Sequence, residues 1–370
     1  MLKIIFFILI SFTLHSYESE KISILIKKGK KISFTSSNFS VSDDMVGDRL
    51  FSIKNKKKII VKIEKKNDEY GLRILNTFYP TTSIIVESKK GFNINKKNLS
   101  FKLAIILYKK NLYAINVLPL EAYLAGIINS EISSKWPIES IKAQAVVSRT
   151  YAFRKKIKNR EKPYDLNTTV LDQVYKGITN IDRASIEAVK ETYGEVVVYN
   201  HRLIEAFFFA HSGGKTEDGS YFSGVDVPYL RAVDDSIYVK DKPRSNWSYK
   251  IKINKFFAKL RAKNWIKGEL ETIKIKKRSK SNRVLRLAFI SQKTVTVSGE
   301  NLRQLLGYNK LFSTNFKIKL NGKYLIVEGK GSGHGVGMCQ WGAYGMAKAN
   351  KTYKEIIHKY FTDVKIIKAY

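Results

Sequence analysis

Between Val117 and Asn129 the apolar positions Leu120, Tyr123, Leu124, Ile127 and Ile128 recur at helical spacing and predict an amphipathic helix. Glu131 prolongs that stripe. A carboxyl group set into an apolar face is held away from water, which raises its pKa and keeps a proton ready for donation. A helix ending near Asn129 would instead leave Glu131 at the start of a solvated connection. Pro137 and Glu139 open a second helix, because the missing N–H of proline costs nothing in a first turn and an acid suits the positive helix end. Its stripe of Ile138, Ile141, Ala145 and Ala152 is bordered by Lys142 and Arg149 on one edge and by Gln144 and Tyr151 on the other.

Upstream, residues 17–115 alternate short β-prone runs (ISILIKK, KISFTSS, KKIIVKIEKK, TSIIVESKK) with charged turns, and read as a β-rich region of small antiparallel strands. Basic pairs such as Lys65-Lys66 and Lys109-Lys110 close several of the runs. No chemistry is suggested there, and the region is expected to support or dock an active part. The first 16 residues, with Lys3 before the apolar run Ile4–Leu14, have the layout of a secretory signal too short to span a bilayer comfortably. Leu14 departs from the small-residue rule for cleavage near Ser16, so an uncleaved anchor that associates the chain with a membrane is the alternative.

Downstream, Pro163 and its polar neighbours indicate a loop leading to Asp172-Gln173-Val174-Tyr175. IDRASIEAVKETYG reads as a helix closed by Gly194, and EVVVYNHRLIEAFFFAH as a hairpin through Asn200-His201 with a buried second strand. That strand leads to His211-Ser212-Gly213-Gly214-Lys215-Thr216. A phosphate-loop reading of GGKT fails, because Phe209 stands where the first glycine is required. Residues 241–324 are lysine-heavy and read as an elaboration beside the core, with a helix and strands and with Ser298 and Gly307 bounding a short helix. From 325 to 370 the chain returns with glycine at alternate positions from Gly329 to Gly337. Such an extended strand would present a side-chain-free face to another backbone or a sugar.

Four stretches resemble one family. LPLEAYLAGIINSEISSKWPIESIKAQAVVSRTYA, DQVYKG (172–177), SGGKTED (212–218) and GSGHGVGMCQWGAYGMA (331–347) are similar, in the same order, to the motifs of the SpoIID/LytB family, which comprises stage II sporulation protein D and the amidase enhancer LytB. The resemblance implies action on peptidoglycan glycan strands by residues 116–240 and 325–370. Sporulation members are lytic transglycosylases, whereas LytB modifies a separate cell-wall amidase. Glu131 is the expected catalytic acid and base. Lys142, Gln144, Arg149, Tyr175, Lys215, His334, Gln340 and Tyr344 are brought forward as substrate contacts, with Tyr175 stacking on a pyranose ring and Lys215 reaching the glycan. Some sporulation members bind zinc, and His211, His334 and Cys339 could supply ligands; their spacing is no recognised zinc pattern, and no metal or other cofactor is expected.

Composition adjusts this picture only at the edges. A single cysteine excludes an intramolecular disulfide. The formal net charge of +35 would draw the chain to anionic polymers such as wall glycans, although lysine-rich usage throughout also fits compositional drift. Nucleic acid is not expected as a partner, since no arginine cluster carries interleaved aromatics and the export signal points outside the cytoplasm. The expected fold class is α+β: mixed helices and antiparallel strands around a glycan-binding cleft.

Overall fold

A computed structural model describes residues 20–168, 172–173, 175–177 and 181–370. The first 16 residues, expected to be an export signal or anchor, and Val174 lie outside the described residues. From Lys21 to Pro119 the chain is strand after strand, and inward positions alternate with outward ones: Ile22 and Ile24, Ile32 and Phe34, Val61, Leu72 and Ile74, Ile84 and Val86, Leu103 and Ile105 all point to one shared core. Two sheets enclose it. The first runs, in spatial order, Leu166–Asn167, Lys21–Gly29, Asn111–Pro119, Lys102–Tyr108, Ser83–Ser88, Phe39–Asp43, Arg49–Ile53. The second runs Lys97–Leu99, Phe92–Ile94, Lys31–Ser36, Lys57–Lys66, Glu69–Ile74, Thr77–Tyr79. Pairing is antiparallel except where Ile24 meets Leu166. The Lys109-Lys110 pair does form a tight turn, with φ of 46° and 59°. Lys65 and Lys66 instead end a strand, and the turn falls on Asn67-Asp68, which tolerates positive φ better.

The strand Asn111–Pro119 runs straight into helix α1 (Leu120–Glu131), and α2 (Ile138–Lys158) follows after Pro137. Then come α3 (Arg183–Glu191), α4 (Gly219–Ser223) and α5 (Ser236–Val239). Helices α6 (Ile253–Ala262) and α7 (Gly299–Leu306) lie farther on, and α8 (Gln340–Lys348) and α9 (Tyr353–Tyr360) near the end. Ser298 caps α7 with a reciprocal capping box and Gly307 closes it, as its sequence indicates. Gly194 takes a positive φ after α3, and Asn200-His201 turn the hairpin between Glu195–Tyr199 and Arg202–Leu203. The second hairpin strand is only two residues long, and Lys365–Lys368 pairs on the other edge of Glu195–Tyr199.

The main core joins the β-rich region to α1, α2, α8 and α9, whereas a second buried cluster, with Trp247, Phe256, Phe289, Leu302 and Val327, lies within residues 247–327. Two small antiparallel sheets and helices α6 and α7 build that second unit. The chain is thus α+β with several mostly antiparallel sheets. Among the described residues no helix is long and apolar enough to cross a membrane.

Candidate functional site

Glu131 is the last residue of α1 and is half-buried. Leu120, Tyr123, Leu124, Ile127 and Ile128 are fully buried on the preceding turns, so the helix continues past Asn129. The Asn129 carboxamide donates to Asp182 and accepts from the Ser134 N–H, which fixes the connection leading to Trp136. Burial is the main reason the Tyr123 and Tyr151 phenols resist ionisation; Glu131 lies near enough to add to it at both, and Asp172 adds more than Glu131 does at Tyr151.

A connected set of polar side chains surrounds those two tyrosines. Tyr123 donates to the Gln173 carbonyl oxygen at 2.9 Å, and Tyr151 to Asp172 at 3.0 Å. Gln144, fully buried on α2, donates to the Ser148 hydroxyl at 2.9 Å and accepts from Gln340 at 3.3 Å. Lys155 pairs with Asp172 at 2.9 Å. Burial acts to raise the Asp172 carboxyl, but Lys155, the Asn167 N–H and the Tyr151 hydroxyl outweigh it and hold that carboxyl below its ordinary range. Beside this network Trp136, Trp341 and Tyr344 form a trio of half-buried rings, with centroids 4.6 Å apart for the indoles and 5.1 and 5.2 Å from each indole to Tyr344.

The structure therefore brings Glu131, Gln144, Gln340 and Tyr344 into one neighbourhood drawn from α1, α2 and α8. Other residues expected to touch substrate are engaged elsewhere. Arg149 is wholly buried: it donates to both Glu121 carboxylate oxygens at 2.8 and 2.6 Å and to the Glu195 and Val189 carbonyls. It is an interior clamp among α1, α2 and α3, out of reach of a glycan. Tyr175 is also fully buried, donating to Asn116 at 2.8 Å and packing on Tyr123, so its ring has no face for a sugar. Lys142 sits between Glu139 and Glu191 at the α2–α3 contact.

The two glycine-rich segments do meet, through His211 and Ser332, Glu217 and Val336, and a parallel pairing of Phe208–Phe209 with Met338–Cys339. Lys215 lies exposed on this loop, next to Asp234 in a backbone bridge. The alternating-glycine segment is not an extended strand, since Gly331, Gly333, Gly335 and Gly337 all have positive φ. Its glycines face protein rather than an open surface: a Cβ on Gly337 would lie 2.1 Å from the Phe207 carbonyl oxygen, and one on Gly335 2.5 Å from the Arg283 guanidinium. Burial, with the nearby Arg283 and Arg303, pushes the His334 imidazole down to about 4. Its Nε2 lies 3.1 Å from the Phe208 carbonyl, its Nδ1 accepts from the Val336 N–H, and the Phe207 and Phe209 rings pack on it.

A resident zinc does not fit the three donors considered for it. His211 accepts the Gly213 N–H at Nδ1 and meets Val239 and Ser245 at Nε2, and the Cys339 sulfur accepts the N–H groups of Ser212 and Gly342. Among the described residues no cluster of His, Cys, Asp or Glu could hold a metal ion. The residues sequence reading passed over are Trp136 and Trp341. Their signal was a tryptophan just before the α2 proline, and a second three positions ahead of Tyr344 on one face of α8.

Residues 108–199 match the family model described as stage II sporulation protein, and residues 240–337 match a model for a domain of unknown function. The chain is 34% identical over 299 residues to an uncharacterized protein of Brachyspira hyodysenteriae, covering 80% of each. It is 32% identical over 282 residues to the stage II sporulation protein D of Bacillus subtilis, covering 72% of this chain and 80% of that one. A protein of Bacillus subtilis called amidase enhancer is 30% identical over 292 residues, 64% of this chain and 39% of that one. The chain belongs to the SpoIID/LytB family.

Proposed function

We propose that this member of the SpoIID/LytB family remodels the bacterial cell wall as a peptidoglycan lytic transglycosylase, with Glu131 as both acid and base. The observation that carries the reading is the position of Glu131 at the end of α1, beside the Tyr123–Gln173 and Tyr151–Asp172 pairs and five residues before the Trp136 ring. The half-buried rings of Trp136, Trp341 and Tyr344 offer apolar faces for the C–H side of sugars, while the buried Gln144–Gln340 contact ties α2 to the start of α8 next to Trp341. Asp172 is engaged by Lys155, Tyr151 and Asn167, and on this reading both proton transfers fall to Glu131.

In the proposed step the Glu131 carboxylic acid gives its proton to the bridging glycosidic oxygen, and the bond from that oxygen to the anomeric carbon breaks. The sugar left behind has oxocarbenium character. Its own 6-oxygen then bonds to the anomeric carbon, and the 6-hydroxyl proton passes to the Glu131 carboxylate. The acid is regenerated and no water is consumed, so the second carboxylate of a hydrolase is not needed. On this reading the protein acts in the cell envelope, where such a substrate lies.

The test is mass spectrometry of sugars released from purified sacculi. Wild type should release 1,6-anhydro ends, and Glu131→Gln should release none while still binding sacculi. Full release by that variant overturns the acid role. The likeness to a protein called amidase enhancer favours a second reading, a wall-binding protein that stimulates an amidase. That reading gives no anhydro-sugar product from either protein, and adding an amidase yields released peptide in place of sugar.

A further inference from the structure

The β-rich region, where the sequence shows no chemistry, carries an open surface cavity of about 780 Å³, within the range of ligand sites by volume. It opens at one end of the second sheet, where the strand Lys31–Ser36, the turn before Lys57, and the hairpin Phe92–Leu99 converge. Its polar lining is Thr35 and Ser37, Asn93 and Asn98, Lys56 and Lys90, and apolar surface makes up about half of the wall. Among the described residues no carboxylate lines it. The Asn93 amide donates to the Asn98 side-chain oxygen at 2.7 Å, a bond that uses neither the Asn93 oxygen nor the Asn98 amide nitrogen.

The same hairpin reaches the site. Lys97 donates to the Tyr175 carbonyl at 3.1 Å and Asn98 forms a bridge to Gly177, so the cavity wall is continuous with the segment that presents Asp172 and Gln173. A glycine is required at that bridge, since a Cβ on Gly177 would stand 2.0 Å from the Asn98 oxygen.

We infer that this cavity is a second binding site, for a carboxylate-bearing, N-acetylated saccharide. Paired carboxamides and hydroxyls match sugar hydroxyl and acetamido groups, and two lysines without an acid nearby match carboxylates carried along the strand. The inference deepens the peptidoglycan reading and rests on it: the cavity holds part of the strand whose cleavage Glu131 performs, and the Phe92–Leu99 hairpin keeps the two places in fixed relation.

The test uses calorimetric binding of a peptide-free glycan oligomer with free lactyl carboxylates to the Glu131→Gln protein, which does not consume it. Adding Lys56→Glu and Lys90→Glu should weaken binding about tenfold or more. Lys263→Glu and Lys280→Glu, which change net charge equally on the exposed 247–327 unit, should leave it within about twofold. A neutral chitin oligomer should bind all three proteins alike. Equal losses in the two charge-reversed proteins overturn the inference, and so does lysine-dependent binding of the acidic stem peptide in place of the glycan. Anhydro-sugar release by wild type is read separately. If release fails while the cavity lysines still govern glycan binding, the transglycosylase reading falls and the cavity stands; release together with normal binding by the cavity variant has the opposite meaning.

Discussion

Arg149 on α2 grips both carboxylate oxygens of Glu121 on α1, with no part of the arginine in contact with solvent. The paired charges also collect the Tyr370 hydroxyl and the backbone of Val189 and Glu195, so α1, α2, α3 and the C-terminus converge on one ion pair. Geometry of this kind holds Glu131, ten residues along α1 from Glu121, in place relative to α2.

Removing one partner of such a pair strands the other. Arg149→Ala should lower stability by about 3–5 kcal/mol, because the Glu121 carboxylate would remain buried without its cation. Arg149→Lys should recover only part of that loss, since one ammonium cannot span both carboxylate oxygens. Urea unfolding measures both. A variant of unchanged stability with weakened glycan binding would restore Arg149 to the substrate.

The aromatic trio makes a different prediction. Trp136→Ala and Trp341→Ala should each weaken glycan binding about tenfold and lower the melting temperature modestly, because the rings are half-exposed yet pack on each other and on the core. Their 4.6 Å contact should give a coupling of about 0.5–1.5 kcal/mol in a double-mutant cycle. Unaltered affinity in both single variants would remove the rings from the site.

His334 supplies a pH dependence. Its folded-state value of about 4 lies below the roughly 6.5 of a free imidazole, so in mildly acid solution the unfolded chain takes a proton that the folded chain refuses. The contribution is complete above pH about 6.5 and is lost as pH falls toward about 4. Burial lowers His211 in the same direction. Thermal melts across this window should show wild type losing stability faster than His334→Gln, and equal slopes would exclude the effect.

Arg283 extends from the 247–327 unit into the glycine-rich segments, where it is buried and donates to Ser212 at 3.0 Å and Gly333 at 3.4 Å. Burial brings its guanidinium down to about 10, with the charge of Glu217 acting against that fall. Arg283→Ala should destabilise the protein by about 1–3 kcal/mol, because the buried Ser212 carbonyl and the Gly333 carbonyl lose their donor, and Gly335→Ala should also destabilise it by thrusting a methyl group at the guanidinium from a positive φ. Limited proteolysis of the 247–327 unit and thermal melting would detect both. Wild-type behaviour of Arg283→Ala would mean the unit docks without it.

The order of motifs, the existence of the two helices, the turn residues and caps, and the alternating strands of the first hundred residues were legible from the chain, because each rests on neighbours within a few positions; that α2 is buried on every side from Ala143 to Ala152, with no solvated face there, was not. Glu131 belonged to that set: the stripe of α1 runs up to it. What the sequence could not disclose is which polar residues face inward. Lys142 and Arg149 border the α2 stripe in the same way, yet Arg149 is sealed off with Glu121 and Lys142 is held at the α3 contact by Glu139 and Glu191. The alternating glycines read as an open strand, but positive φ and the closeness of Phe207 and Arg283 turn them into packing positions. Burial of a charge, a phenol or a glycine face depends on partners tens to hundreds of residues away, and only the tertiary fold decides where those partners stand.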